Sequence, residues 1–376
     1  MSVRDAALVL ADGSVFEGEW FGAEPANPSG SSTTASHSTP GGFASGEVVF
    51  NTALTGYQEI VTDPSYAGQI ITFTYPHIGN YGVMPADDES RSAFCRGVIV
   101  RDLARRRSNW RSEGDLNAYL RALGVPGIGG IDTRRLTRVI RDSGAIPGAF
   151  GPLDLVDEAT LKQAAADEPG TAGVDLVGQV TTPERYTHGT GPLRVAAYDF
   201  GMKTSILEQL GEFATVEVFP ATATADELRA MEPDGIFLSN GPGDPEVVDY
   251  ALPHVRSLLE DSRPLFGICL GHQILSLAAG ASTVKLPFGH HGGNHPVREV
   301  ATGRIDITSQ NHNFAVDADS LGGIAEVTHV NLNDGVCEGM RLLDANAWSV
   351  QHHPEAGPGP HDARHLFDHF RETMTP

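Results

Sequence analysis

Residues 267–271 read GICLG and place Cys269 between an apolar segment, residues 264–266, and a helix-like segment. A glycine on each side of a nucleophile is typical of the sharp strand-to-helix turn that presents the nucleophile at the edge of a sheet. The N-terminus of the following helix would stabilise a thiolate, and the backbone N–H of Leu270 would face a developing oxyanion. The pattern therefore indicates cysteine-dependent acyl transfer. The alternative is an inert cysteine, since free cysteine is commonly buried.

A thiol nucleophile needs a base, and the base needs a third group that orients it. Residues 352–355 read HHPE after a strand-like segment, so His353 and Glu355 can lie side by side, with Pro354 restricting the backbone. The sequence leaves other histidine partners for Cys269 open: His272, His290, His291, His295 and His312. Residues 289–295 (GHHGGNH) suggest a metal site, but the usual ligand spacing and a second cluster are missing. We therefore predict no metal.

A second glycine-rich turn, residues 240–245 (NGPGDP), ends another strand-like segment. Its glycines allow backbone N–H groups to turn toward a bound anion or oxyanion. The Gly-Lys-Ser/Thr of a Walker A loop is missing, so the turn does not indicate a nucleotide phosphate. Considered alone, it would be an ordinary turn before a helix.

The segments that must position these residues alternate between strand and helix from Leu193 onward, with helix-like segments at 203–210, 225–231, 250–259 and 272–279. This alternation predicts an α/β fold with a doubly wound, mostly parallel sheet covered on both faces. Ligands of such sheets gather at the carboxyl ends of the strands, where both glycine-rich turns lie.

The length of 376 residues suggests two or three domains. We predict an N-terminal mixed α/β domain over residues 1–150, a linker over 151–192 and the doubly wound domain over 193–376. Residues 24–45 are rich in Ser, Thr, Pro and Gly and predict a disordered insertion in the first domain. Residues 127–133 (GIGGIDT) predict a turn that leads into a capped helix.

The composition excludes several classes of protein. With 48 acidic and 26 basic residues the formal net charge is −22, which repels nucleic acids and acidic membranes. No apolar run approaches the roughly 20 residues of a membrane span, and the first residues show neither a long apolar region nor a small-residue cleavage site, so we expect a cytoplasmic protein. The scattered cysteines, Cys95, Cys269 and Cys337, support no disulfide framework. The acidic excess would suit a salt-rich cytoplasm, where self-repulsion is screened.

The segments LSNGPGDP, FGICLGHQ and HHPE, in this order, resemble the class I (triad) glutamine amidotransferases. Further segments resemble the small-subunit family of carbamoyl-phosphate synthetases. They are residues 50–52, 55–59, 62–66, 74–80, 289–296 and 309–312. Apart from the insertion, the resemblance runs from about Ala7 to the end of the chain.

This resemblance implies a nucleophile at Cys269, a base at His353 and an orienting carboxylate at Glu355. It places L-glutamine-binding positions on Ser65, Gly241, Gly243, Leu270, Gln273, Asn311, Asn313 and Phe314. Asn313 stands where the family usually has glycine, and asparagine tolerates the left-handed conformation better than most residues. Because Ser65 belongs to the first domain, the resemblance also implies a glutamine pocket shared by both domains.

The resemblance further implies that glutamine is hydrolysed through a Cys269 thioester. The ammonia would pass to a large subunit that makes carbamoyl phosphate from bicarbonate and ATP, for arginine and pyrimidine biosynthesis. The chain itself would use no cofactor, since ATP and Mg belong to the large subunit, and it would form a heterodimer or an oligomer of heterodimers.

Two alternatives stay open at this point. A glutaminase subunit for guanylate, cytidylate or anthranilate synthesis would share the triad but has no use for residues 55–59 (TGYQE) and 75–80 (YPHIGN). A catalytically idle scaffold subunit would not need the intact set of Cys269, His353 and Glu355.

Overall fold

The computed structural model describes residues 4–25 and 42–375, which fall into two compact units, Met1–Ala172 and Gly173–Pro376. The boundary between the units lies inside the segment predicted as a linker. Most of the predicted insertion lies outside the described residues. The last two residues of the predicted insertion, Ala44 and Ser45, are not disordered but begin a strand. Ala44 is fully buried there and pairs with Phe150 of the neighbouring strand.

The first unit is a closed barrel with helices packed against it. Its strands are β1 (Asp5–Leu10), β2 (Val15–Gly22), β3 (Ala44–Asn51), β4 (Gln69–Phe73), β5 (His77–Ile78), β6 (Gly97–Ile99), β7 (Asp102–Leu103), β8 (Pro126–Gly129) and β9 (Ile146–Pro152). Its helices are α1 (Tyr57–Thr62), α2 (Leu116–Leu123), α3 (Thr133–Ser143) and α4 (Glu158–Asp167). The barrel order is β1-β2-β8-β6-β4-β3-β9, and β9 pairs with β1 to close it. The predicted mixed α/β character is confirmed.

One prediction for the first unit was wrong. Residues 127–129 do not form a turn but belong to β8, which pairs with β2. A Cβ atom at Gly127 would lie 2.4 Å from Phe21 Cε2. Glycine at this position therefore allows the strand to pack closely against the Phe21 ring. The cap of the next helix is present, since the Asp132 carboxylate accepts from the Arg135 N–H at 2.9 Å.

The second unit is a single sheet with helices on both faces. Its strands are β10 (Tyr186–His188), β11 (Leu193–Asp199), β12 (Ala214–Pro220), β13 (Gly235–Leu238), β14 (Leu265–Ile268), β15 (Thr283–Glu299), β16 (Ile305–Val316), β17 (Ala325–Asn331), β18 (Cys337–Leu342) and β19 (Ala347–Val350). Its helices are α5 (Val177–Val180), α6 (Thr204–Gly211), α7 (Ala225–Arg229), α8 (Leu252–Leu258), α9 (Leu270–Ala279) and α10 (His365–Thr373).

The centre of this sheet is parallel, in the order β12-β11-β13-β14-β19. Separate buried clusters cover its two faces, one containing Leu238 and Ile274 and the other Phe266 and Phe370, which confirms the doubly wound arrangement. Beyond β19 the sheet continues through antiparallel β18, β17, β15 and β16. This extension was not predicted, because the glycine- and histidine-rich middle of β15 has a low strand propensity.

The helices of both units are short, and the longest one described, α3, has 11 residues. None of the helices in the described part of the chain is long and apolar enough to cross a membrane. The cytoplasmic location stays a prediction.

Candidate active site

Cys269 lies at the turn between β14 and α9 with φ 55° and ψ −106°, a conformation that costs a non-glycine residue energy. The flanking glycines permit this turn. A Cβ at Gly267 would lie 2.8 Å from the Gly271 carbonyl carbon, and one at Gly271 would lie 2.2 Å from Leu238 O. The cysteine is therefore held at the carboxyl end of a central strand and at the N-terminus of α9, where the helix dipole stabilises negative charge.

The surroundings of the Cys269 sulfur come from two other strands. Its Sγ lies 3.6 Å from Asn311 O of β16, and its backbone N–H donates to Val350 O of β19 at 2.9 Å. The other cysteines are buried at sites without an elbow. Burial raises the thiol pKa of Cys95 to about 12 and that of Cys337 to about 11. These two thiols are therefore protonated and inert at neutral pH.

His353 and Glu355 form a buried pair, with Nδ1 of the imidazole 2.6 Å from Oε1 of the carboxylate. Burial by itself would lower the pKa of His353, but the charge of Glu355 and the neighbouring Cys269 outweigh it and raise the pKa to about 10. The ring is thus an imidazolium at neutral pH. The structure brings the three residues of the predicted triad together, and the Cys269 sulfur also contacts Asn311 O at 3.6 Å.

Lys203, immediately before α6, is a residue of this site that the sequence analysis missed. Its Nζ lies 2.8 Å from Glu355 Oε1, and both side chains are buried. Burial alone would raise the pKa of Glu355. The positive charges of Lys203 and His353 have the larger combined effect and keep this pKa well below its usual range. The one signal in the sequence was that lysine is rare and that Lys203 follows a strand of the central sheet.

Gly241 and Gly243 form the turn that follows β13. A Cβ at Gly241 would lie 2.3 Å from Phe200 O and 2.7 Å from Leu270 Cδ2, so this turn lies directly against the start of α9. Gly243 has φ +80°, which favours glycine. The two glycine-rich turns thus adjoin each other, as the topology of the sheet required.

Gln273 and Phe314 contact each other. The Gln273 amide nitrogen donates to Phe314 O at 2.7 Å and to Gln351 Oε1 at 2.9 Å. All three residues are buried, so these hydrogen bonds fix the Gln273 side chain.

Asn311 and Asn313 lie on one face of β16, and their side-chain oxygens are 3.0 and 2.9 Å from the two ring nitrogens of His291. Asn313 is not among the residues with positive φ, so its replacement of glycine needs no left-handed backbone here. The sequence left His291 open as a partner of Cys269, whereas the structure places its ring against these two asparagines.

Ser65 belongs to the first unit, in a short 3-10 turn after α1, where its N–H donates to Asp63 Oδ1 at 2.8 Å. Its role in binding glutamine stays a prediction.

Other histidines that could have partnered Cys269 have different neighbours. His272 Nδ1 is 2.8 Å from Ser349 Oγ, and His290 Nε2 is 2.7 Å from Asp334 Oδ2. Residues 289–295 lie within β15. In the described residues, one group has donor atoms close enough to hold a metal ion, namely His290, His312 and Glu338, within 4.8 Å of one another. The sequence did not indicate this group, because Glu338 lies on β18 whereas His290 and His312 lie on β15 and β16.

A cysteine at a strained strand–helix elbow, with a His–Glu pair at the carboxyl edge of the same parallel sheet, defines a triad-type glutamine amidotransferase domain. Residues 196–373 match the family model of class-I glutamine amidotransferases. Residues 8–150 match the model of the CPSase domain of the carbamoyl-phosphate synthase small chain.

Two relatives, both named carbamoyl phosphate synthase small chain, align with nearly the whole chain. The protein of Chlorobaculum tepidum is 51% identical over 374 residues, which cover 98% of this chain and 97% of the relative. That of Polynucleobacter asymbioticus is 50% identical over 396 residues, which cover 98% and 96%. The chain belongs to the carbamoyl-phosphate synthase small chain family, as the resemblance predicted.

Proposed function

We propose that this chain hydrolyses L-glutamine to glutamate and ammonia as the glutaminase subunit of a carbamoyl-phosphate synthase. The observation that carries this proposal is the Cys269 elbow beside the buried His353–Glu355 pair. The match of residues 8–150 to a small-chain domain favours this role over a subunit for guanylate, cytidylate or anthranilate synthesis. The intact triad disfavours an idle scaffold.

In the first half of the reaction, the Cys269 thiolate attacks the side-chain carboxamide carbon of glutamine and a C–S bond forms. The backbone N–H groups of Leu270 and Gly241 stabilise the oxyanion. The His353 imidazolium donates its Nε2 proton to the amide nitrogen, the C–N bond breaks and ammonia leaves. The raised pKa of His353 suits this step, because the ring is already protonated when glutamine binds.

In the second half, His353 is neutral and takes a proton from a water molecule. The resulting hydroxide attacks the glutamyl thioester, the C–S bond breaks, and glutamate leaves. The thiolate and the imidazolium are then restored. Throughout, Glu355 orients the ring through Nδ1 and stabilises its positive charge, while Lys203 keeps that carboxylate ionised.

Glutamine is held by the positions that the family resemblance assigns: Ser65, Gly241, Gly243, Leu270, Gln273, Asn311, Asn313 and Phe314. Two observations support this assignment. Gly241 lies against Leu270 beside the elbow, and Asn311 contacts the Cys269 sulfur through its carbonyl oxygen.

The ammonia passes to a large subunit, with which this chain forms a heterodimer or an oligomer of heterodimers. There it is combined with bicarbonate and ATP to give carbamoyl phosphate. This chain itself uses no cofactor, and ATP and Mg are used by the large subunit. The cysteine chemistry described above needs neither.

The proposal is tested by mixing this chain with the large chain of the same organism. Carbamoyl phosphate synthesis is measured with glutamine and, separately, with ammonium as the nitrogen donor. We expect the pair of chains to use both donors and the large chain alone to use only ammonium. A pair of chains that makes carbamoyl phosphate from ammonium but not from glutamine would contradict the proposal.

A further inference from the structure

Glu338 of β18 is a fully buried carboxylate that the mechanism above does not use. Its Oε1 accepts from Asn331 Nδ2 at 2.8 Å and its Oε2 accepts from Gln310 Nε2 at 2.9 Å. The ion-pair contacts of Glu338 in the described part of the chain are with histidines, His290 at 3.6 Å and His352 at 3.7 Å. Burying a charged group costs free energy unless the charge is paired and hydrogen-bonded. A functional role would explain why the chain carries a carboxylate at this buried position.

From Glu338 a series of hydrogen bonds leads to the predicted substrate-binding residues. Gln310 Oε1 lies 3.0 Å from His312 Nε2, and His312 Nδ1 lies 2.7 Å from Phe314 O. The same carbonyl oxygen accepts from Gln273 Nε2 at 2.7 Å. Gln310, His312 and Phe314 alternate along one face of β16, while Asn311, which contacts Cys269, lies on the other face.

A second connection leads toward the base. The backbone carbonyl of Glu338 accepts from the Gln351 N–H at 2.9 Å, and the Gln351 side chain accepts from Gln273. His352, which faces the Glu338 carboxylate, immediately precedes His353. Glu338 therefore contacts both segments that carry the site, the glutamine-binding strand and the segment that ends in the base.

We propose that Glu338 is a positioning residue for glutamine hydrolysis, which holds Gln310 and, through His312 and the Phe314 carbonyl, the Gln273 side chain in the geometry that binds glutamine. It acts without touching the substrate. This inference rests on the proposed glutaminase function.

Glu338→Gln is the decisive variant because it preserves volume but replaces one acceptor oxygen by an NH₂ donor. That donor would face the amide donor of Asn331 or of Gln310, so in either orientation one hydrogen bond of residue 338 is lost, and the bond that remains no longer has a charged acceptor. We expect KM for glutamine to rise about 10-fold or more, the effect of losing a hydrogen bond to a charged group, with kcat changed less than about 3-fold. The matched control is Glu326→Gln, on the exposed side of neighbouring β17, which should leave both constants unchanged.

Rescue separates positioning from general damage to the fold. The double variant Glu338→Gln/Gln310→Glu moves the carboxylate to the opposite side of the same contact and restores a donor–acceptor pair. It should recover most of the KM increase. A melting temperature and ammonia-dependent synthesis by the complex report whether each variant is folded and assembled.

The outcomes distinguish the two proposals. If the wild-type complex fails to hydrolyse glutamine, the proposed function is wrong. If it is active and Glu338→Gln keeps the wild-type KM, or lowers kcat alone, the positioning role is wrong.

The metal content of the purified wild-type chain gives an independent check on the hydrogen-bond account. Stoichiometric metal at His290, His312 and Glu338, whose removal by EDTA reproduces the KM of Glu338→Gln, would overturn it. A metal-free wild-type chain with normal KM would support it.

Discussion

Lys203 Nζ lies 2.8 Å from the same Glu355 oxygen that His353 Nδ1 contacts at 2.6 Å. Two cations, the Lys203 ammonium and the His353 imidazolium, therefore contact one buried carboxylate oxygen. Together with the Glu355 carboxylate they carry a net charge of +1. A Cys269 thiolate would make the buried group neutral. This arrangement favours a protonated ring beside the Cys269 sulfur, and that ring supplies the proton that the departing amide nitrogen needs to leave as ammonia.

The first prediction concerns the nucleophile. Cys269→Ser should reduce glutamine hydrolysis by about 10³-fold or more, because the serine hydroxyl is far less acidic than a thiol. Ammonia-dependent carbamoyl phosphate synthesis by the complex should be unaffected. Cys337→Ser is the matched control, since Cys337 is also buried but lies in β18 away from the elbow. Normal glutamine turnover in Cys269→Ser would show that the nucleophile is another residue.

The second prediction concerns the pH profile. The protonated form of His353 is active, so kcat/KM should be lost as pH rises through about 10. Glu355→Gln removes a charge that raises the pKa of His353, and the alkaline limb should therefore move to lower pH. Initial rates between pH 6 and 10.5 measure this shift. An alkaline limb that stays in place in Glu355→Gln would disprove the electrostatic coupling.

The elbow could be predicted from the sequence because the residues that form it are close together in the chain. They are the glycines on both sides of Cys269, the apolar strand before them and the helix after them. The parallel centre of the sheet followed from the alternation of strands and helices. Lys203 and Glu338 could not be predicted. Lys203 meets Glu355 from 152 residues away, and Glu338 meets Gln310 through an antiparallel extension whose polar strands carry no clear hydrophobic alternation.

The third prediction concerns acid stability. Burial lowers the pKa of His272 to about 3, of His329 to about 3 and of His291 to about 4. In the unfolded chain these rings protonate near pH 6.5, whereas in the folded chain they stay neutral. Stability is therefore fully present above about pH 6.5 and is lost as pH falls, by up to about 1.4 kcal/mol per pH unit for each ring.

Thermal melts between pH 7.5 and 5 test this prediction. His272→Gln should make the melting temperature less dependent on pH, because one buried titrating ring is removed. His361→Gln, at an exposed position, should leave the dependence as in wild type. The same pH dependence in all three proteins would contradict it.

The fourth prediction concerns residues 28–40, which lie outside the described part of the chain. Their deletion should change stability and the glutaminase rate little, because loop length enters the closure entropy only logarithmically and the segment has few apolar residues. Circular dichroism melts and glutaminase assays measure both effects. A large loss of affinity for the large chain would instead identify the segment as a docking element.

The fifth prediction concerns salt. With a net charge of −22 the folded chain repels itself, and the Debye length falls from about 10 Å at 0.1 M to about 3 Å at 1 M salt. The melting temperature should therefore rise as KCl is increased from 0.1 to 3 M, in a series without sulfate, which stabilises proteins by exclusion from their surface.

If the acidic residues are instead spread thinly over the surface, each exposed pair contributes only about 0–1 kcal/mol, and added salt changes the melting temperature little. A constant or falling melting temperature would disprove salt adaptation and leave the roles of Cys269, His353 and Glu355 unaffected, because these side chains are buried and poorly screened.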